Sequence, residues 1–341
     1  MKLMKTEDAV GQVLCHDITQ IIKGVTKDAV FRKGHVIREE DIPVLLSVGK
    51  DHIYIWEKEE GMLHENDAAE ILRQICQSEH MRAGEPKEGK IDLYATIDGL
   101  FKIDRKKLRY VNGFGQMMIA SLHGDTAVHA GEKLAGTRII PLVIEEENMK
   151  KVREGCGNEP IFQVKPFVRK KAAIITTGNE VYYGRIEDTF TPVIEQKIKA
   201  FGMETMYHVT LNDDHERITK SCLEAIEQGA ELVICTGGMS VDPDDKTPLA
   251  IKNTGARIVS YGAPVLPGAM FLLAYYKDVP IVGLPGCVMY AKKTIFDIVL
   301  PRIAADDEIT NDWLAGLGEG GLCPSCPICT YPNCGFGRGR V

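Results

Sequence analysis

Residues 231–247 read ELVICTGGMSVDPDDKT, and this stretch decides how the rest of the chain is interpreted. Its beginning, residues 232–235, is short, apolar and uncharged, as in a strand that is buried on both faces. Gly237 and Gly238 follow that strand, and paired glycines let a backbone approach a ligand closely. In open α/β sheets, ligands bind at the carboxyl ends of the strands. We therefore expect a ligand site here.

The segments around this stretch alternate between buried strands and helices. The strands are predicted at residues 172–177, 205–209 and 231–235, and the helices at 190–201, 215–228, 247–253 and 289–300. A hairpin is expected to turn at Lys277 and Asp278. Such alternation predicts a mostly parallel sheet with helices on both faces. Residues 169–308 are thus expected to form a three-layer α/β domain.

The preceding residues predict a smaller, β-rich α+β region. Residues 1–89 form its N-terminal α+β segment, with a strand at 18–22 and an amphipathic helix within 65–82. Residues 90–168 form a β-rich module, with a short helix expected within 113–122. Residues 309–341 remain as a short Gly/Cys-rich tail.

The composition excludes several classes of protein. Hydrophobic residues make up 44% of the 341 residues and charged residues 26%, as in a soluble globular protein. The formal net charge of −7 argues against a general nucleic-acid binder. The N-terminal residues lack the apolar core of a signal peptide, and no run approaches the ~20 apolar residues of a membrane span. We expect a cytoplasmic protein that binds neither nucleic acid nor a membrane.

Three loops should meet at one edge of the predicted sheet, because each follows a buried strand and precedes a helix. Backbone amides and hydroxyls in such loops, together with helix N-termini, bind anions such as phosphate. The residues expected to contact the ligand are Thr177, Gly178, Thr236, Gly237, Gly238, Ser240, Pro285 and Gly286.

Acidic residues lie within the same stretch and would repel a phosphate unless a cation lay between them. Mg²⁺ bridges carboxylate and phosphate oxygens and usually keeps several waters. Asp244 and Asp245 are therefore candidate Mg²⁺ ligands. The alternative is that residues 242–245 form a turn and a helix start, where Asp is common.

Residues 170–305 resemble the molybdopterin-binding domain of molybdenum cofactor biosynthesis proteins of the gephyrin type. The resemblance rests on an ordered set of motifs: Thr177-Gly178-Asn179-Glu180, residues 184–188, Thr236-Gly237-Gly238-Met239-Ser240 through Asp245, and Pro285-Gly286. It implies a ligand with a pterin, a dithiolene and a terminal phosphate, with Mg²⁺ taking part. Asp188 and Asp245 match the catalytic acids of the adenylyltransferase branch.

The segment from Phe31 to Ile55 resembles the one that leads into the catalytic domain of molybdopterin molybdenumtransferases. The resemblance implies that the chain binds molybdopterin, or its adenylylated form, and inserts molybdenum from molybdate with Mg²⁺. It also implies a homo-oligomer and molybdoenzymes that receive the cofactor. The alternative is a non-catalytic molybdopterin-binding carrier or sensor.

Cysteines offer two further candidates. Cys287 opens a helix, a position that lowers the pKa of a thiol, and the alternative is a small residue that fills a packed turn. Four thiols within twelve residues suggest a metal site, either an Fe–S cluster or Zn²⁺, and the alternative is an unmetallated flexible tail. These four are Cys323, Cys326, Cys329 and Cys334.

Overall fold

The computed structural model describes residues 2–22, 24, 26–55, 60–240, 242–243 and 245–339. The chain forms two compact units. The first comprises residues 1–96, 103–122 and 131–163, and the second comprises residues 97–102, 123–130 and 164–341. The expected mixed α/β class is confirmed. None of the helices in the described ranges is long and apolar enough to cross a membrane.

Short strands dominate the first half of the chain. Its elements are β1 (Lys2–Lys5), β2 (Ile18–Ile22), β3 (Thr26–Phe31), α1 (Ile42–Ser47), β4 (His52–Ile55), β5 (Met62–His64), α2 (Glu65–Cys76), β6 (Met81–Ala83), β7 (Lys90–Ala95), β8 (Gly99–Ile103), α3 (Arg105–Gly113), β9 (Met117–Ser121), β10 (Thr126–Val128), β11 (Lys133–Ile139), β12 (Val143–Glu145), α4 (Glu146–Cys156) and β13 (Phe162–Pro166).

The first unit is organised around helix α2. This helix buries Ala68, Ala69, Leu72 and Ile75 on one face and packs them against β7 and β11. The strands of this unit pair in the orders β1-β4, β2-β3, β5-β12 and β6-β7-β11-β9. The predicted helix at 65–82 is therefore present but ends at Cys76, before β6.

The helix predicted within residues 113–122 is wrong. Helix α3 ends at Gly113, and residues Met117–Ser121 form strand β9, which pairs with β11. The Asn112 side chain fixes the turn between them, since its amide donates to the Ile119 carbonyl (3.0 Å) and its oxygen accepts from the Ile119 amide (2.8 Å).

The second half of the chain alternates longer strands with helices. Its elements are β14 (Lys171–Thr177), α5 (Asn179–Tyr182), α6 (Phe190–Lys199), β15 (Glu204–Leu211), α7 (His215–Glu227), β16 (Leu232–Thr236), α8 (Thr247–Asn253), β17 (Arg257–Tyr261), β18 (Leu272–Tyr276), β19 (Val279–Leu284), α9 (Cys287–Tyr290), α10 (Ile295–Ala304) and α11 (Asn311–Gly316).

The second unit contains a six-stranded sheet in the order β15-β14-β16-β19-β18-β17. Its first four strands run parallel, and β18 and β17 run antiparallel to their neighbours. Successive residues of the central strands enter two different cores. Ile174 and Ile234 pack with α6 and α10, whereas Ile175 and Val233 pack with α7 and α8. Strands buried on both faces explain the continuous apolar runs in the sequence.

The single helix predicted at residues 289–300 is wrong. The chain forms α9, becomes extended at Ala291, and restarts as α10. Thr294 and Asp297 cap the second helix reciprocally, because the Thr294 hydroxyl accepts from the Phe296 amide and Asp297 accepts from the Thr294 amide.

The C-terminal segment packs into the second unit. Phe336 is only 3% exposed and joins the core around α10. The Leu266 amide donates to the Gly321 carbonyl, and the Cys323 amide donates to the Leu266 carbonyl, both at 2.8 Å. The Tyr331 hydroxyl donates to the Asp297 carbonyl at 3.1 Å. These contacts attach the described part of this segment to the second unit at both of its ends.

Candidate functional site

Four neighbouring strands of the second unit end side by side. Leu211 of β15 pairs with Thr177 of β14, Thr176 pairs with Thr236 of β16, and Thr236 pairs with Leu284 of β19. The strands are parallel, so the loops that follow them leave the sheet at one edge. The structure thus brings together the three loops that the sequence singles out, and adds the loop after β15.

Threonine hydroxyls tie two of these loops together. The buried Thr177 hydroxyl donates to the Thr236 carbonyl at 3.0 Å and lies 3.2 Å from the Thr247 hydroxyl. The Thr247 hydroxyl donates to the Gly237 carbonyl at 2.9 Å. These bonds join the end of β14 to the loop after β16 and to the start of α8. Thr177 therefore supports the loop from inside.

Gly237 and Gly238 are required by the protein itself. Their φ angles are +82° and +56°, in the left-handed region that favours glycine. A Cβ on Gly237 would lie 2.2 Å from the Thr177 carbonyl oxygen, and one on Gly238 would lie 2.8 Å from the Thr247 hydroxyl oxygen. The two glycines let the loop pack tightly against β14 and α8.

Gly286 has a different environment. It is exposed, its φ and ψ are −54° and −25°, and no protein atom lies within 4 Å of the position that a Cβ would occupy. Neither sterics nor backbone conformation demands glycine there, whereas the preceding Pro285 is buried. An open backbone at the sheet edge is suited to a ligand.

Thr236 carries an unusual hydroxyl. The residue is fully buried, and its Oγ1 has no hydrogen-bond partner among the residues that the structure describes. Buried polar atoms normally have such a partner, so this side chain costs stability at the end of β16.

Asp188 forms a hydrogen-bonded cluster at the start of α6. Its Oδ1 accepts from the amides of Phe190 (2.9 Å) and Thr191 (3.0 Å), and its Oδ2 accepts from the hydroxyls of Thr191 (2.5 Å) and Thr176 (3.3 Å). His208 Nε2 lies 3.9 Å away. Burial alone would raise the pKa of Asp188, but these hydrogen bonds outweigh it and lower the pKa. The geometry assigns Asp188 a positioning role, and its catalytic role stays a prediction.

Asp213 is a site residue that the sequence reasoning missed. It follows β15, and its Oδ2 accepts from the Asn179 amide at 3.0 Å. Its Oδ1 would lie 3.6 Å from a Cβ on Gly238. The signal that could have revealed it is the polar run Asn212-Asp213-Asp214 between a predicted strand and a predicted helix.

The acidic part of the motif forms a turn before α8. The Asp245 amide donates to the Asp242 carbonyl at 2.9 Å, and the Asp242 amide donates to Asp245 Oδ2 at 3.2 Å. Asp245 is half-buried and Ser240 is exposed, while Asp244 lies outside the described residues. The turn agrees with the structural alternative for this segment and leaves Asp245 Oδ1 without a recorded partner in the described part of the chain.

Tyr261 lies beside this turn and fixes the residue before Ser240. Its hydroxyl donates to the Met239 carbonyl at 3.2 Å. Burial and the negative charge of Asp245 both raise the pKa of Tyr261. The Asp245 carboxylate is thus close to a phenol that stays protonated at neutral pH.

Of the two alternatives for Cys287, the structure favours the small residue in a packed turn over the thiol of lowered pKa. Burial raises the pKa of this thiol, and a backbone hydrogen bond offsets the effect only in part. Helix α9 has four residues, too few to supply a strong dipole. Cys287 is therefore a neutral, partly buried thiol.

The candidate metal ligands do not converge. Within the described ranges, no three His, Cys, Asp or Glu side chains are placed so that they could hold a metal ion. Cys326 and Cys329 are exposed, and Cys323 and Cys334 are partly buried against the core of the second unit. The four cysteines lie on one segment of the chain, but their thiols are not close enough together to bind one metal ion.

Two segments of the chain match known protein families. Residues 173–305 match the family described as "Probable molybdopterin binding domain", and residues 3–57 match a domain of unknown function. The first match supports the expected resemblance of residues 170–305 to molybdopterin-binding domains. Assignment to the gephyrin type or to the molybdenumtransferases stays a prediction.

Individual relatives match part of the chain. The "Molybdenum cofactor synthesis protein cinnamon" of Drosophila melanogaster is 30% identical over 162 residues, which are 46% of this chain and 26% of the relative. A "Putative competence-damage inducible protein" of Bacillus velezensis is 33% identical over 90 residues, which are 26% of this chain and 21% of the relative. The matches thus span about a quarter of these curated relatives.

Among solved structures, "Molybdopterin biosynthesis enzyme MoaB" of Thermus thermophilus has a TM-score of 0.34 and 19% identity. The alignment covers 41% of this chain and 98% of that one.

Proposed function

We propose that the sheet edge of the second unit binds the phosphate end of molybdopterin or of adenylylated molybdopterin, and that the chain inserts molybdenum from molybdate with Mg²⁺. The observation that carries the proposal is the register of the strand ends. Thr177, Thr236 and Leu284 end adjacent parallel strands, and each is followed by a loop of the region that matches a molybdopterin-binding family. A molybdoenzyme would then receive the cofactor.

The phosphate would contact the outer surface of these loops. Thr177, Gly237 and Gly238 are engaged in packing within the protein, so they shape the loop. The exposed Ser240 hydroxyl and the open backbone at Gly286 are the groups that a phosphate could reach. Backbone amides and hydroxyls in such loops hold an anion without a full positive charge.

Asp245 fits a role as the protein ligand of Mg²⁺. Its Oδ2 accepts one amide hydrogen bond within the turn, and no partner of Oδ1 lies among the described residues, so Oδ1 would be open to a cation. Mg²⁺ is commonly held by one or two carboxylates, with waters and substrate phosphates completing its shell, so a cluster of three protein ligands is not needed. The bound ion would neutralise charge between phosphate and molybdate. Asp188, whose two oxygens accept four hydrogen bonds, is better suited to hold the start of α6.

Replacement of Asp245 by Asn tests the proposal. Purified protein is incubated with adenylylated molybdopterin, Mg²⁺ and molybdate, and the completed cofactor and released AMP are measured. We expect Asp245→Asn to lower product formation roughly 100-fold, because the amide cannot replace a charged ligand. Asp242→Asn is the matched control, since Asp242 is an exposed acid of the same turn that contributes backbone groups to it.

The outcomes separate the candidate activities. Full activity in Asp245→Asn would refute the assignment of this residue. If the unaltered protein binds molybdopterin tightly yet forms neither cofactor nor AMP, the chain is a carrier or sensor, the alternative that the sequence also raises. The four hydrogen bonds that occupy Asp188 favour this alternative, because they leave one fewer acid available for chemistry.

A further inference from the structure

A polar cavity of about 270 Å³ lies within the first unit. Four short segments line it: residues 16–17 before β2, 32–33 after β3, 65–66 at the start of α2, and 85–88 before β7. The proposed site at the sheet edge uses none of these residues. Binding cavities for drug-sized ligands begin at about 300 Å³, so this one suits a compact molecule of one or two fused rings.

Glu65 is the unusual group of this cavity. The residue is 8% exposed, and no hydrogen bond or ion pair of its carboxylate is found within the described residues. The backbone at Gly89 closes one wall, where a Cβ would lie 3.1 Å from Glu65 Oε2. Burial raises the pKa of Glu65 to about 6, and the charge of Arg138 offsets this only in part. The carboxylate is therefore partly desolvated, and a hydrogen-bond donor that entered the cavity would stabilise its charged form.

Lys33 brings a positive charge to the same cavity. Its Nζ lies 3.1 Å from Nδ1 of His64, whose Nε2 lies 2.8 Å from the Cys15 carbonyl oxygen. A carbonyl can only accept, so Nε2 carries the His64 proton and Nδ1 is the acceptor that holds the ammonium. The cavity is therefore lined by the Lys33 ammonium, held beside His64, and by the Glu65 carboxylate.

We propose that this cavity binds a small planar ligand with a 2-amino-4-oxopyrimidine edge, the edge that guanine and pterins share. Such an edge presents two adjacent N–H donors followed by a carbonyl oxygen. The Glu65 carboxylate accepts the two N–H groups side by side, as it would accept a guanidinium, and the Lys33 ammonium attracts the carbonyl. A metal ion is a poorer occupant, since no three metal-binding side chains converge anywhere in the described ranges.

Calorimetric titration of the full chain tests this. The probes are guanosine and 6-carboxypterin, which carry the edge, and adenosine, which lacks the donor pair. We expect one or both of the first two to bind and adenosine not to bind; which one binds identifies the ring. Glu65→Gln should weaken binding about 10- to 100-fold, because an amide cannot accept both N–H groups.

The matched control is Glu85→Gln, which changes an exposed acid on the rim of the same cavity and should bind like the unaltered chain. If Glu65→Gln does not fold, Lys33→Met supplies the second test, with an affinity loss expected for the same ligand. Three results would overturn the proposal: no binding of either probe at millimolar concentration, equal binding of adenosine, or unchanged affinity in Glu65→Gln. Molybdopterin binding at the sheet edge is assayed separately with Gly286→Ala, so failure of one proposal leaves the other testable.

Discussion

Replacement of Gly286 by Ala separates ligand contact from folding. The added methyl group meets no protein atom within 4 Å, and φ of −54° suits alanine. A Gly→Ala change at a compatible backbone position stabilises a protein by about 0.4–1 kcal/mol, because the unfolded chain loses freedom. We therefore expect Gly286→Ala to unfold at a slightly higher urea concentration than the unaltered chain.

Ligand binding should move in the opposite direction. If a phosphate oxygen approaches the backbone after β19, the methyl group keeps it at a distance and removes one hydrogen bond to a charged group. Such a bond contributes about 1.5–3 kcal/mol, which corresponds to roughly a 10- to 150-fold weaker affinity. The assay is equilibrium binding of anaerobically prepared molybdopterin, measured beside urea denaturation of the same samples.

Two further glycines provide the controls. Gly113→Ala, at the end of α3, also meets no protein atom within 4 Å and should leave the affinity unchanged. Gly237→Ala should reduce both stability and affinity, because its Cβ would lie 2.2 Å from the Thr177 carbonyl oxygen. Unaltered affinity in Gly286→Ala, or a loss of stability there, would refute the assignment of Gly286 to the ligand surface.

Three more perturbations test individual features. Thr236→Val keeps the shape of a buried side chain whose hydroxyl has no hydrogen-bond partner among the described residues. The free energy of unfolding, measured by urea denaturation, should therefore rise by about 1 kcal/mol. A lower free energy of unfolding would show that the hydroxyl does form a hydrogen bond. For Glu65, a pKa raised from 4.5 to about 6 means that folding favours the protonated form, so stability is lost as pH rises from about 4.5 through 6. Glu65→Gln should thus gain about 1 kcal/mol in urea denaturation at pH 7.5, after allowance for solvent in the cavity, and nothing at pH 4; an equal gain at both would contradict this. Metal analysis of anaerobically purified chain tests the metal site that the cysteine spacing predicts and that the separated thiols of the described cysteines do not form. Iron or zinc that is lost in the Cys326→Ser, Cys329→Ser double variant and kept in Cys287→Ser would support the site, and metal-free protein would refute it.

Much of the sheet unit was predictable, because its buried strands are unbroken apolar runs and a glycine follows closely after each of the helices α6, α7 and α8. Helix α8 and strand β2 begin and end at the predicted residues. The hairpin between β18 and β19 turns at the predicted Lys277 and Asp278. The local sequence pattern was sufficient to predict the strands that are buried on both faces, because such strands require a continuous apolar run.

The errors arose where one residue outweighed a pattern. Residues Met117–Ser121 are apolar enough for either a helix or a strand, and the hydrogen bonds between Asn112 and Ile119 favour the strand. The break between α9 and α10 depends on the capping pair Thr294 and Asp297, which the apolar periodicity conceals.

The site was predictable in position but not in detail. Sequence order placed the glycines after strand ends, but the difference between them lies in the fold: Gly237 packs on β14, whereas Gly286 faces open space. Asp213 was missed because its contact with the Asn179 amide joins loops 34 residues apart. Long-range partners of a side chain leave no periodic signal in the sequence.

The packing of the C-terminal segment has a consequence for synthesis on the ribosome. Arg338 hydrogen-bonds to the Thr126 hydroxyl and the Pro332 carbonyl, and Phe336 completes the core around α10. The second unit therefore joins residues that lie more than 200 positions apart in the sequence and leave the exit tunnel at different times. Its sheet can form during translation, but its core stays incomplete until Phe336 and Arg338 have emerged. Until these residues have emerged, apolar surface of this unit stays exposed to chaperones.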